Sequence, residues 1–291
     1  MAGHWHIGVI GGSGLYDGMG LEDAQEIAVN SPFGDPSGPV TTGTLAGVRF
    51  SFIPRHGKGH VLGPAEVNYR ANIDVLKRCG VTDVLSISAI GSLREEFGPG
   101  HFVAVDQLID HTTGRERSFF GRGLVGHVSL ADPVCQRLSG LAAKAAAKAG
   151  ATVHKGGCYI AIDGPQFSTR AESQVYRQWG ADVIGMTAMP EARLAREAEL
   201  PYAILAMVTD YDCWRPSEKG VEAADVLAVM HANADMAKRT LGKLAGLLAT
   251  ERKASPIDTA LDGAFVTAEA DRDPVALARL DAVARRFISL K

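Results

Sequence analysis

Short apolar runs alternate with longer segments of helical periodicity, and this alternation constrains the fold more than any other feature of the sequence. Four of the longer segments predict helices, because apolar residues recur on one face or because alanine, a strong helix former, predominates. Glycines end three of them, and the third begins with the capping-box pattern Thr169-x-x-Glu172. The alternation predicts an α/β fold with a mostly parallel or mixed sheet. The predicted strands span residues 6–12, 48–54, 83–88, 159–162, 182–186 and 202–208, and the predicted helices span 65–80, 136–150, 169–180 and roughly 217–249.

With 291 residues, of which 46% are hydrophobic and 22% charged, the chain has the composition of a soluble globular protein with a sizeable core. The formal net charge of −3 argues against binding to nucleic acid or to an acidic membrane surface. No apolar run has membrane-spanning length, and the start "MAGHWHIGVIGG" lacks the features of a signal peptide. No CxxC pair is present, so we expect a cytoplasmic protein with reduced thiols at Cys79, Cys135, Cys158 and Cys213.

The character of the sequence changes near residue 250. Residues 1–250 contain the alternating pattern without a linker or a repeat, and they predict one domain. Residues 251–274 are polar and interrupted by glycine and proline, whereas residues 275–290 have an amphipathic pattern. We therefore expect a C-terminal extension over 251–291 that consists of a loop or partly ordered linker and a terminal helix.

Two aspartates, Asp210 and Asp212, follow the apolar run at 202–208 and lie on the same side of an extended chain. A surface turn would explain them, since Asp is common where strands end. The sequence by itself leaves open why two like charges should end a buried strand.

A glycine-rich segment, "GVIGGSGLYDG" at 8–18, follows the first predicted strand. It contains Gly12-x-Gly14, but Asp17 stands where a dinucleotide-binding fingerprint has its third glycine. The turn around Ser13 could still hold an anion through backbone N–H groups and one hydroxyl. Glycine turns after a first strand are, however, more often structural.

A basic segment, "PRHGKGH" at 54–60, follows a second predicted strand and contains Arg55, His56, Lys58 and His60. Clustered cations at a strand end suit a phosphate or a carboxylate, for which arginine provides a planar fork of donors. A solvated basic loop is an equally good explanation. No carboxylate or cysteine joins the two histidines, which argues against a metal site.

Three further segments carry small, aromatic or hydroxyl side chains that could meet a ligand. Ser88 and Ala89 end a predicted strand, where small residues let a ligand approach the backbone. Phe167 is a lone aromatic residue among polar neighbours, and it could be an anchor in the core or a stacking face for a planar base. Thr187 precedes a helix predicted to begin near Pro190, where a hydroxyl can cap the helix or bind an anion.

Seven segments in order resemble the 5'-methylthioadenosine phosphorylases, a branch of the trimeric purine nucleoside phosphorylase family. The resemblance covers roughly residues 5–248 and implies a single α/β domain with a mixed, partly barrel-like central sheet flanked by helices. It also implies phosphorolysis, in which phosphate attacks the ribosyl anomeric carbon and the purine leaves, and a homotrimer or a dimer of trimers. The segments are "IGVIGGSGLYDG", "PRHGKGH", "NYRANI", "GSLREEFGPG", "DGPQFSTRAES", "WGADVIGMTAMPEA" and "MVTDYDCW".

The resemblance also implies roles for individual residues. The phosphate site would consist of Ser13, Arg55, His56, Ser88, Ala89 and Thr187. Phe167 would stack on the purine, and the backbone of Met186 would meet the ribose. The pocket for the 5'-methylthio group would be lined by His60, His127 from a neighbouring subunit, Ala223, Val226 and Leu227.

The resemblance gives the aspartate pair a function. Family members that act on 6-oxopurines have Glu and Asn where this sequence has Ser168 and Asp210. A 6-aminopurine offers donors, so its site needs acceptors. Two neighbouring carboxylates in a poorly solvated site cannot easily both ionise, so one pKa should rise. We expect protonated Asp210 to donate to purine N7 as general acid, while Asp212 accepts from the amino group.

The sequence departs from the family pattern at three positions. Gly185 stands where some methylthioadenosine phosphorylases have Asn, so any polar contact of that Asn is absent. Ile90 is bulkier than the Cys or Ala expected near the base, and Asp163 replaces the more usual Glu before Gly-Pro.

Three other functions are weighed against the phosphorolysis of methylthioadenosine. A phosphorylase of inosine or methylthioinosine would favour Asn at position 210. A methylthioadenosine hydrolase would not need the phosphate residues, and a non-catalytic nucleoside-binding protein would be expected to lose them or Asp210. We expect inorganic phosphate as a co-substrate and neither a cofactor nor a metal.

Overall fold

A computed structural model describes residues 3–12, 20–215, 223–248 and 251–288. Within these ranges the chain forms strands β1 His6–Gly11, β2 Glu22–Ile27, β3 Val40–Leu45, β4 Val48–Pro54, β5 Asp83–Ser92, β6 Phe102–Val105, β7 Gln107–His111, β8 Val153–Lys155, β9 Cys158–Ile162, β10 Val183–Gly185 and β11 Tyr202–Asp210. The helices are α1 Tyr69–Arg78, α2 Gln136–Lys148, α3 Arg170–Gln178, α4 Ala188–Glu197, α5 Ala223–Leu247, α6 Pro274–Arg279 and α7 Arg285–Ile288, with 3₁₀ turns at Pro256–Thr259 and Glu269–Asp271.

The strands form one mixed sheet, which confirms the predicted α/β fold with a mixed sheet flanked by helices. Its centre is parallel: β1 pairs with β4 and β5, and β11 pairs with β5. The sheet branches at β5, because β11 lies along one side of it while the short β10 pairs antiparallel with its last residues. From β10 the sheet continues to β9 and β7, and from β11 it continues to β6 and β8.

The parallel strands place their carboxyl ends at one edge of the sheet, where ligands bind in open α/β folds. Strand β1 ends at Gly11 opposite Ile87 of β5, and β4 ends at Pro54. Strand β11 ends at Asp210, opposite Gly91 of β5. The predicted basic, small-residue and acidic segments therefore leave the sheet on the same side.

All six predicted strands and the helices of the central part of the chain are present, with ends that differ by a few residues. Helix α1 begins after Asn68, whose side chain accepts a hydrogen bond from the Ala71 N–H. The capping box predicted for α3 is present, since Thr169 and Glu172 each accept from the other's backbone N–H. The described inner face of α5 packs in the core through Ala237, Leu241, Leu244 and Ala245.

Five strands were not predicted: β2, β3, β6, β7 and β8. All six residues of β2 are exposed, so no burial pattern distinguishes it from a loop. It is held in the sheet by antiparallel backbone pairing with β3. Strands β6 and β8 have four and three residues, which is too short for a periodic signal.

The segment after residue 250 packs against the rest of the chain. The guanidinium of Arg252 binds Asp83 at the start of β5 as well as Asp258 nearby, and Leu261 and Val283 are buried. The sequence predicts one amphipathic helix over 275–290, whereas the structure has α6 and α7 separated by a turn. A domain boundary at residue 250 stays a prediction.

None of the helices in the described ranges is both long and apolar enough to cross a bilayer. All four cysteines are free thiols, as predicted.

Candidate active site

Two hydroxyl groups that come from distant parts of the chain meet at the carboxyl edge of the sheet. Ser88 and Ala89 lie near the end of β5, and the Ser88 Oγ is 3.4 Å from the Thr187 Oγ1. Thr187 occupies the N-cap position of α4, but its side chain makes no capping hydrogen bond. Both hydroxyl-bearing residues are buried, with 6% and 5% of their surface exposed. The Thr187 hydroxyl is thus available to an anion at the helix entrance.

Arg55 is buried beside this pair, and most of its donors are engaged within the protein. Its Nε and Nη2 donate to the carboxylate of Glu191 at 2.9 and 3.1 Å, and Nη2 also contacts the Ser86 hydroxyl at 2.6 Å. The carbonyls of Ile10 and Ile87 accept from Nη2 and Nη1. Burial opposes the charge of Arg55, but Glu191 outweighs it and raises the pKa of the guanidinium. One hydrogen of Nη1 has no acceptor among the described residues.

His56 and His60 stack, with ring centroids 4.3 Å apart and ring planes 5° apart. The Nδ1 of His56 lies 3.0 Å from the Leu62 carbonyl, so Nδ1 carries the hydrogen and donates it. Burial, reinforced by Arg55, lowers the pKa of His56 to about 4, and burial lowers the pKa of His60 as well. His56 is therefore neutral near pH 7, and its Nε2 is an acceptor.

Asp210 and Asp212 form a compact pair at the end of β11. The backbone N–H of Asp212 donates to the Asp210 Oδ1 at 2.8 Å, and the Thr209 hydroxyl donates to the Asp210 Oδ2 at 2.6 Å. Burial raises the pKa of Asp210. Burial, together with the charge of Asp210, raises the pKa of Asp212 to about 6. Asp212 is only 7% exposed, which does not fit a solvated surface turn.

The loop with Phe167 and Ser168 is held against the turn that contains Asp212. The Cys213 thiol donates to the Ser168 carbonyl at 3.1 Å, and Arg170 donates to the Cys213 carbonyl at 3.0 Å. Phe167 is 41% exposed, so it is not an anchor in the core of this chain. In the described part of the chain, the Asp212 Oδ2 and the Ser168 hydroxyl are buried without a hydrogen-bond partner.

Arg115, which we did not single out from the sequence, clamps two segments of the site. Its Nη1 donates to the carbonyls of Met186 and Met189 at 2.7 and 2.8 Å, and its Nη2 donates to the Asp163 carbonyl at 2.8 Å and the Ile162 carbonyl at 3.3 Å. The Met186 carbonyl is thereby engaged, which leaves its N–H as the backbone group for a ribose. No local pattern marks this arginine, because its acceptors lie 46 to 74 positions away.

Two glycines are required by close approaches at the site. A Cβ on Gly164 would lie 2.4 Å from the Met186 sulfur, and the φ of Gly164 is +66°, which favours glycine. A Cβ on Gly185 would lie 2.1 Å from the Tyr159 hydroxyl and 3.1 Å from Ile90 Cγ2. Gly185 therefore cannot be exchanged for asparagine here without moving Tyr159.

His127 lies on a loop that the rest of the chain supports from two sides. Its N–H donates to the Ala264 carbonyl at 2.9 Å, which joins the loop to the C-terminal segment. Glu197 accepts from the Ser118 hydroxyl at 2.7 Å and from the Phe119 N–H at 2.6 Å. Burial raises the pKa of Glu197 to about 7. No local pattern in the sequence indicates this role of Glu197.

Four of the predicted contacts cannot be placed. Ser13 lies outside the described residues, as do the side chains of Ala223, Val226 and Leu227, whose backbone belongs to α5. Among the residues that are described, no group of three His, Cys, Asp or Glu side chains could hold a metal ion.

Comparison with known proteins shows similarity to one family along nearly the whole chain. Residues 6–245 match the family model of the phosphorylase superfamily. The S-methyl-5'-thioadenosine phosphorylase of Cereibacter sphaeroides is 57% identical over 284 residues, which are 97% of this chain and 98% of that protein. The enzyme of the same name from Bradyrhizobium diazoefficiens is 54% identical with the same coverage.

Solved structures give the same result. A methylthioadenosine phosphorylase sourced from an Antarctic soil metagenomic library is 45% identical and superposes with a TM-score of 0.91, covering 96% of this chain and 99% of that one. The methylthioadenosine phosphorylase of Schistosoma mansoni in complex with adenine is 38% identical, with a TM-score of 0.80, and covers 84% and 92% of the two chains.

Proposed function

Because the chain belongs to the phosphorylase superfamily, and within it to the S-methyl-5'-thioadenosine phosphorylases, we propose that it catalyses the phosphorolysis of 5'-methylthioadenosine. The products are adenine and 5-methylthioribose 1-phosphate, which makes the enzyme a pentosyltransferase of purine and methionine salvage. The main support for this function is the position of two pairs of side chains near the carboxyl ends of the adjacent strands β5 and β11. The hydroxyl pair of Ser88 and Thr187 could bind an anion, and the buried carboxylate pair is Asp210 and Asp212. Ser88 stands opposite Ala206 in these strands, and Asp210 stands opposite Gly91.

Phosphate would bind at the first of these two places. The hydroxyls of Ser88 and Thr187 supply donors, the spare hydrogen of Arg55 Nη1 supplies a charged one, and the backbone of Ala89 adds a further donor. Neutral His56 would accept a hydrogen bond from a protonated phosphate oxygen through Nε2. Ser13 would complete the site. Phosphate is the nucleophile and a counter-charge for the oxocarbenium-like transition state, so that positioning and electrostatics do most of the catalysis.

The purine would bind between the exposed face of Phe167 and the carboxylate pair. Negative charge builds on the ring as the glycosidic bond breaks, and a proton from Asp210 to N7 would neutralise it. The unpartnered Oδ2 of Asp212 would accept from the 6-amino group. The raised pKa values of both carboxyls support a pair that retains a proton once the purine excludes water.

The ribose and its 5' group would lie beyond the purine. The Met186 N–H would meet the ribose, while the 5'-methylthio group would lie among His60, Ala223, Val226, Leu227 and His127 of a neighbouring subunit. Val125 and Val266, on and beside the loop of His127, are 39% and 62% exposed, which supports burial of this surface in a homotrimer. The proposed reaction needs neither a cofactor nor a metal. We expect it to take place in the cytoplasm.

The decisive experiment measures adenine release from 5'-methylthioadenosine with and without phosphate, with inosine as a second substrate. Phosphate-dependent release from methylthioadenosine, with no turnover of inosine, is the expected result. Release without phosphate would identify a hydrolase, and turnover of inosine would show that Asp210 does not select the base. Light scattering on the same sample should give three times, or six times, the 30.7 kDa chain mass.

A further inference from the structure

Tyr159 is a fully buried residue of β9 whose hydroxyl lies among the groups assigned to phosphate. None of its surface is exposed. The backbone N–H of Thr187 lies 3.4 Å from the Tyr159 hydroxyl oxygen and donates to it. The Thr187 hydroxyl is 3.4 Å from the Ser88 hydroxyl, and both are near enough to this phenol to lower its pKa against the effect of burial. Three groups of the phosphate site therefore surround one tyrosine oxygen.

The hydrogen atoms of this cluster can be assigned by counting donors and acceptors. The Tyr159 oxygen accepts from the Thr187 N–H and has one hydrogen to donate, and the nearby acceptors are the Ser88 and Thr187 oxygens. A hydroxyl that accepts from Tyr159 must turn its own hydrogen away from it. The alternative acceptors for Ser88 are the Ala89 carbonyl at 3.3 Å and the Thr187 hydroxyl at 3.4 Å, and both are long contacts for a hydroxyl donor. A phosphate oxygen is the better acceptor for the hydrogens turned outward.

The space for the phenol is created by the absence of a side chain at Gly185. A Cβ at that position would lie 2.1 Å from the hydroxyl oxygen and 2.7 Å from the ring carbon Cζ that carries it. Such distances are shorter than any contact between these atoms, so the ring would have to move. Gly185 and Tyr159 together thus fix the position of the hydroxyl beside Ser88 and Thr187.

We propose that Tyr159 is a positioning residue for the phosphate co-substrate: its hydroxyl holds the Thr187 N–H and donates its one hydrogen to the Ser88–Thr187 hydroxyl pair, so that the hydroxyl that accepts it presents its own hydrogen to phosphate. This inference rests on the proposed function. Tyr159 does not touch the reacting atoms in this proposal, and it acts through the two side chains that do.

Tyr159→Phe tests the proposal, because it removes one hydroxyl and keeps the ring that fills the core. We expect the KM for phosphate to rise about tenfold, as for the loss of one good hydrogen bond, while the KM for methylthioadenosine changes less than twofold. Tyr176→Phe is the matched control, since it removes a hydroxyl from another buried tyrosine, and it should leave the KM for phosphate unchanged. An unchanged phosphate KM in Tyr159→Phe, or an equal rise of both constants, would overturn the proposal.

A second measurement does not depend on the nucleoside substrate. Phosphate binding raises the unfolding temperature of the wild type, and Tyr159→Phe should need about tenfold more phosphate for the same rise. If neither nucleoside is cleaved but this difference appears, the proposed function fails and the role of Tyr159 stands. If the unfolding temperatures of the two proteins depend equally on phosphate, Tyr159 does not position the phosphate, even if methylthioadenosine is the substrate.

Gly185→Ala displaces the hydroxyl without removing it and should also raise the KM for phosphate. Gly140→Ala is its control, because a Cβ on Gly140 meets nothing within 4 Å. A Gly185→Ala enzyme with the phosphate KM of the wild type would contradict the positioning role.

Discussion

Replacing Asp210 by asparagine tests the proton donor, and the surrounding hydrogen bonds allow this replacement. The amide oxygen must take the place of Oδ1, because the Asp212 N–H points there from 2.8 Å and cannot face a second donor. The amide nitrogen then takes the place of Oδ2, next to the Thr209 hydroxyl at 2.6 Å. Thr209 can accept there, because its own hydrogen can turn to the Ile90 carbonyl at 3.1 Å. No polar group loses its partner.

The expected effect is therefore large on catalysis and small on stability. General acid catalysis is typically worth about 10²–10⁴-fold in rate, so kcat/KM for methylthioadenosine should fall by that factor, or about 3–5 kcal/mol in the activation free energy. The free energy of unfolding should change by less than about 1 kcal/mol, since every hydrogen bond is kept. Because asparagine suits a 6-oxopurine, turnover of inosine or methylthioinosine should increase relative to methylthioadenosine.

The assay is adenine release at saturating phosphate, together with urea unfolding of the same preparation. Asp271→Asn, an exposed change in the C-terminal segment, is the control and should match the wild type. If Asp210→Asn keeps more than a tenth of the wild-type kcat/KM, Asp210 is not the general acid. If it loses more than about 3 kcal/mol of stability, the hydrogen-bond exchange with Thr209 does not occur.

Three more predictions concern charge, pH and backbone. Glu191→Gln leaves the buried Arg55 without its counter-charge and should lower the free energy of unfolding in urea by about 3–5 kcal/mol. The exposed Glu96→Gln is the control and should lower it by less than about 1 kcal/mol. Similar losses in the two variants would contradict the argument that burial makes the first ion pair more important. The carboxyl of Asp212, with its pKa raised from 3.8 to about 6, favours the folded state below pH 4, and this contribution is lost as the pH rises to 6. Asp212→Asn should therefore gain up to about 3 kcal/mol relative to the wild type between pH 4 and 7, and a constant difference would contradict the raised pKa. Gly164→Ala should lower kcat/KM at least about tenfold, because its Cβ would meet a sulfur at 2.4 Å. Gly180→Ala shares the positive φ without such a contact, so an equal effect of both changes would show that backbone strain alone is responsible.

Sequence patterns predicted the long strands in the parallel centre of the sheet, which are buried along most of their length. Strands β1 and β11 are apolar almost throughout, because they lie in the parallel centre of the sheet. All residues of strand β2, "EDAQEI", are exposed, and the strand forms by antiparallel pairing with β3. A single sequence does not contain that tertiary information.

The position of a candidate site residue was predictable where its side chain directly follows a strand or precedes a helix. Asp210 and Thr187 are of this kind, and the rule that ligands bind at carboxyl ends of strands brings them together. Arg115, Glu191 and Tyr159 are different, because each acts on partners far along the chain. Arg55 and Glu191 are 136 positions apart, and only the folded chain shows that they pair.

Helix α4 carries glutamates that reach in three directions. Glu191 holds Arg55, Glu197 holds the loop that leads to His127, and Glu199, just beyond the helix, binds Arg286 at 2.7 Å and the Leu261 N–H in the C-terminal segment. Local opening of a segment requires that its contacts to the remainder be few. The C-terminal segment and the His127 loop are instead hydrogen-bonded to the end of the helix that begins after Thr187. We therefore expect the amides of all three regions to exchange as one cooperative unit that opens together with the core.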